Sequence, residues 1–252
     1  MNGYDSATYG ERIAGVYDDW YTEHDPAMVE RLAELAGEGP ALELGIGTGR
    51  VALPLAARGM EVHGVDASPA MVERLREKPG GTEIPVTLAD FAEFEAGGPF
   101  ALVYVVFNTF FGLLSQEAQV RCFQTVTRHL RPGGCFALEV FVPDLTRFTR
   151  GQLTDTRRVE PDRVMLDYSR HDPVEQRTES QHVVLSEAGI RLYPVSVRYA
   201  WPSELDLMAR LAGLRRRERW GGWRREPFTA QSTMHVSVYE KVESFKGERV
   251  GV

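Results

Sequence analysis

The sequence predicts an α/β fold: a mostly parallel sheet with helices on both faces, plus a small antiparallel β insert late in the chain. Three observations predict it. First, the apolar run Ala41-Leu42-Glu43-Leu44 enters the turn Gly45-Ile46-Gly47-Thr48-Gly49, and a helical pattern, Val51 to Ala56, leaves it. Second, strand-length apolar runs and helical segments alternate from there to about residue 143, as they do when parallel strands are joined by right-handed crossovers. Third, Val164-Leu166-Tyr168, Thr178 to Leu185 and Tyr193-Val195-Val197-Tyr199 switch to period two. Period two means one wet and one buried face, hence an antiparallel sheet.

The glycine turn carries the first functional expectation. Glycines admit positive φ and let another molecule approach the backbone closely. The N–H groups at the start of the following helix would face that molecule. Residues 41–56 are therefore expected to hold a nucleoside-bearing cofactor. A dinucleotide fingerprint needs a small residue where Arg50 stands, and a phosphate-binding P-loop needs Lys-Ser/Thr after its last glycine. What remains is S-adenosylmethionine, which has no phosphate to clamp, or a turn that only joins strand to helix.

Composition narrows the partners. The 252 residues carry a net charge of −7, with 43% hydrophobic and 26% charged residues, as in a globular protein. An acidic chain argues against nucleic-acid or anionic-membrane partners. The two cysteines, Cys122 and Cys135, have neither a disulfide framework nor metal-ligand spacing, so no metal is expected and a reducing cytoplasm suits the chain. The N-terminus has no signal-peptide pattern. The most apolar run, Phe100 to Leu114, is interrupted by Asn108 and Thr109 and is too short to span a bilayer. A monomer or homodimer is expected.

Taken in order, the N-terminal segment is crowded with Tyr4, Tyr9, Tyr17, Trp20 and Tyr21. Ile13, Tyr17 and Tyr21 recur every four residues, which predicts one amphipathic helix. It either docks on the core or closes as a lid, where aromatic faces would attract a sulfonium and Arg12 would pair with a carboxylate. Pro26 to Leu35 predicts a helix, ended by Gly37 and Gly39-Pro40. Val62-His63-Gly64-Val65-Asp66 predicts the second strand. Asp66 follows the glycine turn by about 20 residues, where doubly wound folds place a carboxylate on ribose hydroxyls. Ser68 caps the next helix, with Pro69 at its first position.

Ile84 to Leu88 predicts a short strand, followed by Asp90-Phe91. Phe100 to Val106 is continuously apolar, as a central parallel strand should be. It delivers Phe107, Asn108, Thr109, Phe110 and Phe111 to the carboxyl edge, where open α/β sheets bind ligands. Gln116 to Leu130 predicts a helix stopped by Pro132-Gly133-Gly134. Cys135 to Val142 predicts a buried strand with Glu139 inside it, a carboxylate that must be paired, exposed or functional. The period-two insert would cap the carboxyl edge, with Pro194 marking an edge strand or bulge and His171, His182, Arg198 and Tyr199 available to an enclosed cavity. Trp201-Pro202-Ser203-Glu204 opens a helix. Leu214 to Trp220 and Thr233 to Tyr239 predict the last two strands, and Arg215 to Arg219 a solvated face. Four segments follow: 1–38 as a helical lid, 39–143 with 201–240 as a cofactor-binding core, 144–200 as an antiparallel β cap, and 241–252 as a flexible tail.

This order resembles class I S-adenosylmethionine-dependent methyltransferases over nearly the whole chain. The matching pieces are Glu43-Leu44-Gly45-Ile46-Gly47-Thr48-Gly49, Asp66 after the second strand, Ala89-Asp90-Phe91 after the third, and Leu130-Arg131-Pro132-Gly133-Gly134. Val16-Tyr17-Asp18-Asp19-Trp20-Tyr21 and the insert before Trp201 are similar to small-molecule methyltransferases of bacterial secondary metabolism. These include aminosugar N,N-dimethyltransferases and a peptide amino-terminal methyltransferase, whose loop Asn108-Thr109-Phe110-Phe111 also resembles.

The resemblance implies a Rossmann-like fold with a seven-stranded, mostly parallel sheet. It implies methyl transfer from S-adenosyl-L-methionine, leaving S-adenosyl-L-homocysteine, to an amine or hydroxyl of a small metabolite or short peptide. It places Gly45 and Gly47 at the methionyl part and Asp66 on the ribose. Asp90 and Phe91 would hold the adenine, flanked by Ala67 and Met71. Tyr17, Tyr9 and Arg12 would reach the methionine tail, and Phe107 would also contact the cofactor. Tyr21, Asn108, Phe111, Arg198 and Tyr199 are candidates for the acceptor, and Asn108, Glu139 and His182 for catalysis. A C-methyltransferase, a cyclase using the same cofactor, and a non-catalytic sensor or partner subunit remain open.

Overall fold

The computed structural model describes residues 1, 3–22 and 24–242. The N-terminal segment forms two short helices, α1 (Thr8–Ile13) and α2 (Tyr17–Trp20), followed by α3 (Pro26–Ala36). The single amphipathic helix expected across Ile13, Tyr17 and Tyr21 is broken at Ala14–Val16, and Val16 at the start of α2 has no side-chain cap. The alternating core follows: β1 (Ala41–Leu44), α4 (Ala52–Ala56), β2 (Val62–Asp66), α5 (Pro69–Arg76), β3 (Val86–Leu88), β4 (Phe100–Val105), α6 (Gln116–His129) and β5 (Leu130–Phe141). Four strands come next, β6 (Gln152–Val159), β7 (Arg163–Asp172), β8 (Arg177–Ser186) and β9 (Gly189–Arg198). The chain closes with α7 (Pro202–Leu211), β10 (Leu214–Trp220) and β11 (Met234–Lys241).

Ser68 caps α5 as expected, and Asp25 and Ser115 cap α3 and α6 in the same way. Asp25 accepts from the Ala27 amide at 3.0 Å, Ser68 from Met71 at 3.2 Å and Ser115 from Ala118 at 3.1 Å. Pro26, Pro69 and Pro202 occupy first-turn positions.

The seven-stranded sheet runs β10-β11-β5-β4-β1-β2-β3. β1 to β5 pair in parallel, while β11 is antiparallel to both β5 and β10. Every residue of β4 is buried, because helices cover both faces. The strand order reverses between β1 and β4, and the carboxyl edge there is the place for a ligand crevice.

The second sheet, β6-β7-β8-β9, is antiparallel, with β9 and its Pro194 at the edge. It has four strands rather than three, because the polar run Gln152–Val159 gave no apolar alternation to read. β9 packs on α1 and on the 3-10 turn Thr109–Gly112 at the carboxyl edge. A second correction concerns its faces. Cross-strand register puts Val164, Leu185 and Ile190 in one row and Leu166, Val183 and Leu192 in the next, on the opposite face from Met165, His182, Tyr193 and Val197. The apolar sets expected to share one buried face therefore point to opposite sides.

The expected tail is corrected at its start. Lys241 ends β11, and its ammonium donates to Thr127 O and Leu130 O at 2.7 Å each; residues 243–252 lie outside the described residues. The arginines of β10 are ion-paired rather than simply solvated. Arg216 and Arg219 share Asp206, and Arg215 meets Glu240.

Candidate active site

The glycine turn closes tightly against the neighbouring loops. Gly45 and Gly47 have φ of 70° and 55°, and a Cβ on Gly45 would stand 2.4 Å from the Thr109 methyl. Alanine at Gly45 would both strain the backbone and collide. Four amides of the turn are already engaged. Gly45 and Ile46 donate to Val65 O, Gly49 to Ile46 O, and Gly47 to Asp66 Oδ2 at 2.7 Å. The helix beyond has only five residues. What the turn presents is a carboxylate: Asp66 also accepts from Ser68 N at 2.8 Å, and each oxygen retains an acceptor site for a hydroxyl. Burial raises the Asp66 carboxyl above its ordinary range, opposed by the Ser68, Gly47 and Ala67 amides.

Met71 borders the turn, its methyl 3.2 Å from where a Gly47 Cβ would stand. Asp90 is exposed, with Oδ1 taking the Ala92 amide at 2.8 Å, and the Phe91 ring packs against the core.

The N-terminal segment is fastened over this turn. Glu11 accepts from Ser68 Oγ at 2.7 Å and from the Ala70 amide at 3.0 Å. Asp18 accepts from Thr48 Oγ1 at 2.7 Å and Lys78 Nζ at 2.8 Å. Tyr17 and Tyr21 meet tilted, ring centres 4.9 Å apart, and Arg50 lies in the box they form with Phe107, its guanidinium carbon 3.4 Å from the Phe107 ring centre. Tyr17 OH is 3.4 Å from Arg50 Nη2, and burial, offset by that cation, pushes the phenol up to about 12. Burial also raises the Tyr9 phenol, which bonds Tyr21. Arg12 is exposed and forms no contact with the box among the described residues.

Glu43 is a functional candidate that sequence reasoning passed over. It is buried in β1, accepts from Tyr104 OH at 3.0 Å, and faces Arg50 and the Ala52 amide. Burial dominates and pushes its carboxyl up to about 8. The signal was available: a charged residue in an otherwise apolar strand, the same argument that singled out Glu139.

Glu139 supports an unusual turn. Phe107 and Asn108 are consecutive non-glycine residues with φ of 55° and 67°, a strained pair of the kind found at ligand sites. Glu139 Oε2 accepts the Phe107 amide at 3.0 Å, and Asn108 Oδ1 accepts the Phe141 amide at 2.6 Å. Burial raises the Glu139 carboxyl, partly offset by the Phe107 amide. The Asn108 NH₂ is the group left to donate.

The remaining candidates separate. Phe111 is fully buried, edge-on to Phe141 at 4.9 Å, so its ring belongs to the core. Arg198 is buried and ties the second sheet to α6 and α7 through Gln119 Oε1 at 2.6 Å and Glu204 Oε1 at 2.8 Å. Tyr199 is buried, its OH 3.0 Å from His171 Nε2. His182 Nδ1 meets Asp167 Oδ1 at 2.5 Å, and its ring stands edge-on to Trp20 at 6.3 Å. Among the described residues no cluster of His, Cys, Asp and Glu could hold a metal, and no helix is long and apolar enough to cross a membrane.

Comparison with known proteins decides the family. Residues 41–134 match the methyltransferase domain family. The chain is 43% identical to the CcbJ methyltransferase of Streptomyces caelestis, covering 95% of this chain and 100% of that one with a TM-score of 0.88. This chain belongs to the S-adenosylmethionine-dependent methyltransferases. It is also similar to the cypemycin N-terminal methyltransferase of a Streptomyces species, 29% identical over 79% of this chain and 82% of the relative. The fold matches that of CalS10, an amino pentose methyltransferase from Micromonospora echinaspora solved with S-adenosylmethionine bound (23% identity, TM-score 0.66, 90% and 97% of the two chains). The residues of this methyltransferase fit that cofactor: a close-approach turn, a carboxylate with spare acceptor sites, and no phosphate-binding lysine motif.

Proposed function

We propose that this methyltransferase moves a methyl group from S-adenosylmethionine to an amine of a small metabolite or short peptide in cytoplasmic secondary metabolism. The carrying observation is the pairing of the Asp66–Gly47 cradle with the Tyr17–Tyr21–Phe107 box around Arg50, on either side of one carboxyl edge. Amine rather than hydroxyl is favoured by the name of the cypemycin relative.

In this reading Asp66 holds the ribose hydroxyls, and Asp90 with the Phe91 amide receives the adenine. Arg50, rather than exposed Arg12, pairs with the methionine carboxylate, while the aromatic rings face the sulfonium. The cofactor supplies an electrophilic methyl carbon, so the protein's task is alignment and exclusion of water. Residues 1–38 act as the lid, fastened by Glu11 and Asp18. The sheet β6–β9 acts as the cap, with Asn108 NH₂ and His182 facing the acceptor side. The amine must arrive neutral. Glu139 is committed to the Phe107 amide and serves the turn rather than proton removal.

A screen of primary and secondary amines, amino-terminal peptides and matched alcohols, read as S-adenosylhomocysteine release and product mass, tests this. Amines gaining one methylene unit are expected. Methylation confined to carbon or hydroxyl, or tight cofactor binding without any turnover, contradicts it.

A further inference from the structure

The aromatic box at the carboxyl edge holds a cation that belongs to the protein itself. The Arg50 guanidinium carbon stands 3.4 Å from the Phe107 ring centre, 5.4 Å from that of Tyr21 and 5.7 Å from that of Tyr17. All three fall within the roughly 6 Å over which a ring face holds a cation. The rings are fixed from outside the box. Phe107 is kept in its left-handed turn by Glu139, which accepts its amide at 3.0 Å. Tyr17 and Tyr21 lie either side of Asp18, whose carboxylate is fastened to Thr48 and Lys78. Arg50 directly follows Gly49 of the turn whose Gly47 amide orients Asp66. A ligand reaching from Asp66 to the rings therefore meets the guanidinium.

We propose that Arg50 makes this site selective for sulfonium nucleosides that carry a carboxylate, a role that rests on the sulfonium seat proposed above and deepens it. The box holds one cation at a time. Arg50 cedes it only when the ligand's carboxylate offers the guanidinium a new partner.

Two cations in one box would repel each other. A guanidinium leaving three rings gives up cation–ring contacts, and a charged group must replace them. The buried acids that face it are poor replacements. Burial pushes the Glu43 carboxyl up to about 8, so it is mostly uncharged near pH 7. Burial raises Glu139 as well, and its Oε2 is committed to the Phe107 amide. A carboxylate on the ligand can take two parallel, charge-assisted hydrogen bonds from the guanidinium fork. Decarboxylated S-adenosylmethionine has the same nucleoside and the same sulfonium without that group. Asp66, which meets only the ribose, has no means of refusing it; Arg50 has.

Calorimetric titration with S-adenosylmethionine, decarboxylated S-adenosylmethionine and 5′-methylthioadenosine tests this, with a thermal melt as a check on folding. The wild type should prefer S-adenosylmethionine to its decarboxylated form. Arg50→Leu should tighten decarboxylated S-adenosylmethionine about 30-fold, the weight of one desolvated cation–ring contact of about 2 kcal/mol at about 1.4 kcal/mol per tenfold. S-adenosylmethionine should gain nothing, because it loses its carboxylate partner. Neutral 5′-methylthioadenosine, which does not contend for the seat as a cation, should be indifferent. Arg50→Lys keeps a cation for the rings and should refuse the decarboxylated form as the wild type does. Arg50→Gln repeats the test if Arg50→Leu does not fold. A wild type that binds both sulfonium ligands equally overturns the proposal. So does a neutral variant that gains nothing for the decarboxylated form, an equal gain for 5′-methylthioadenosine, or Arg50→Lys behaving like Arg50→Leu. A folded wild type that binds none of the three ligands refutes the proposed function instead, so the two failures are told apart.

Discussion

Asp66→Ala is expected to weaken S-adenosylmethionine binding at least about 100-fold. The carboxylate is already oriented by the Gly47 and Ser68 amides, at 2.7 and 2.8 Å. Its ribose hydrogen bonds would therefore form with little further ordering. Two charge-assisted hydrogen bonds of about 1.5–3 kcal/mol each, at about 1.4 kcal/mol per tenfold, account for that factor. The variant also releases two amides that Asp66 had satisfied, so a thermal melt must accompany the titration. A folded Asp66→Ala protein with wild-type affinity would remove Asp66 from the ribose.

Glu43→Gln is expected to stabilise the protein increasingly as pH rises. The folded carboxyl titrates near pH 8 against an ordinary value of 4.5, because burial outweighs Tyr104, Arg50 and the Ala52 amide. A carboxyl whose folded pKa is raised binds its proton more tightly in the folded chain. Its contribution is complete below pH 4.5 and is lost as pH rises through 8. The span of about 3.5 pH units is worth at most about 5 kcal/mol. Glutamine keeps the shape and can still accept from Tyr104 OH, but carries no charge to desolvate. Denaturant unfolding of the two proteins should agree at pH 4, part progressively from about pH 5 and hold a constant gap above about pH 8, with the variant the more stable. Parallel curves up to pH 9 would mean that Glu43 ionises freely in the folded state.

The sequence made the core legible because each signal there is local. β1 runs into its glycine turn, Asp66 ends β2, Ser68 and Pro69 start α5, and β4 is apolar throughout. The second sheet was less legible because alternation gives a strand's two faces but not which one turns inward. Only cross-strand register shows that Val164 and Leu166 face away from Tyr193 and Val197. Spacing alone set Asp66 beside the glycine turn, where its carboxylate takes the Gly47 amide. The grouping of Arg50 with Tyr17, Tyr21 and Phe107 could not be read that way, since it joins three segments distant in the chain. Glu139 was read as a buried charge but not as the acceptor for a left-handed turn, because positive φ at Phe107 and Asn108 has no glycine to announce it. Arg198 looked like a cavity residue, but Gln119 and Glu204 consume its guanidinium.

The most direct test is a crystal structure of the protein with S-adenosylhomocysteine. It should show both ribose hydroxyls on Asp66, the adenine beside Asp90 and Phe91, and the thioether sulfur at the rings of Tyr17 and Phe107. A nucleoside seated elsewhere, with the Gly45–Gly49 turn vacant, would contradict the account.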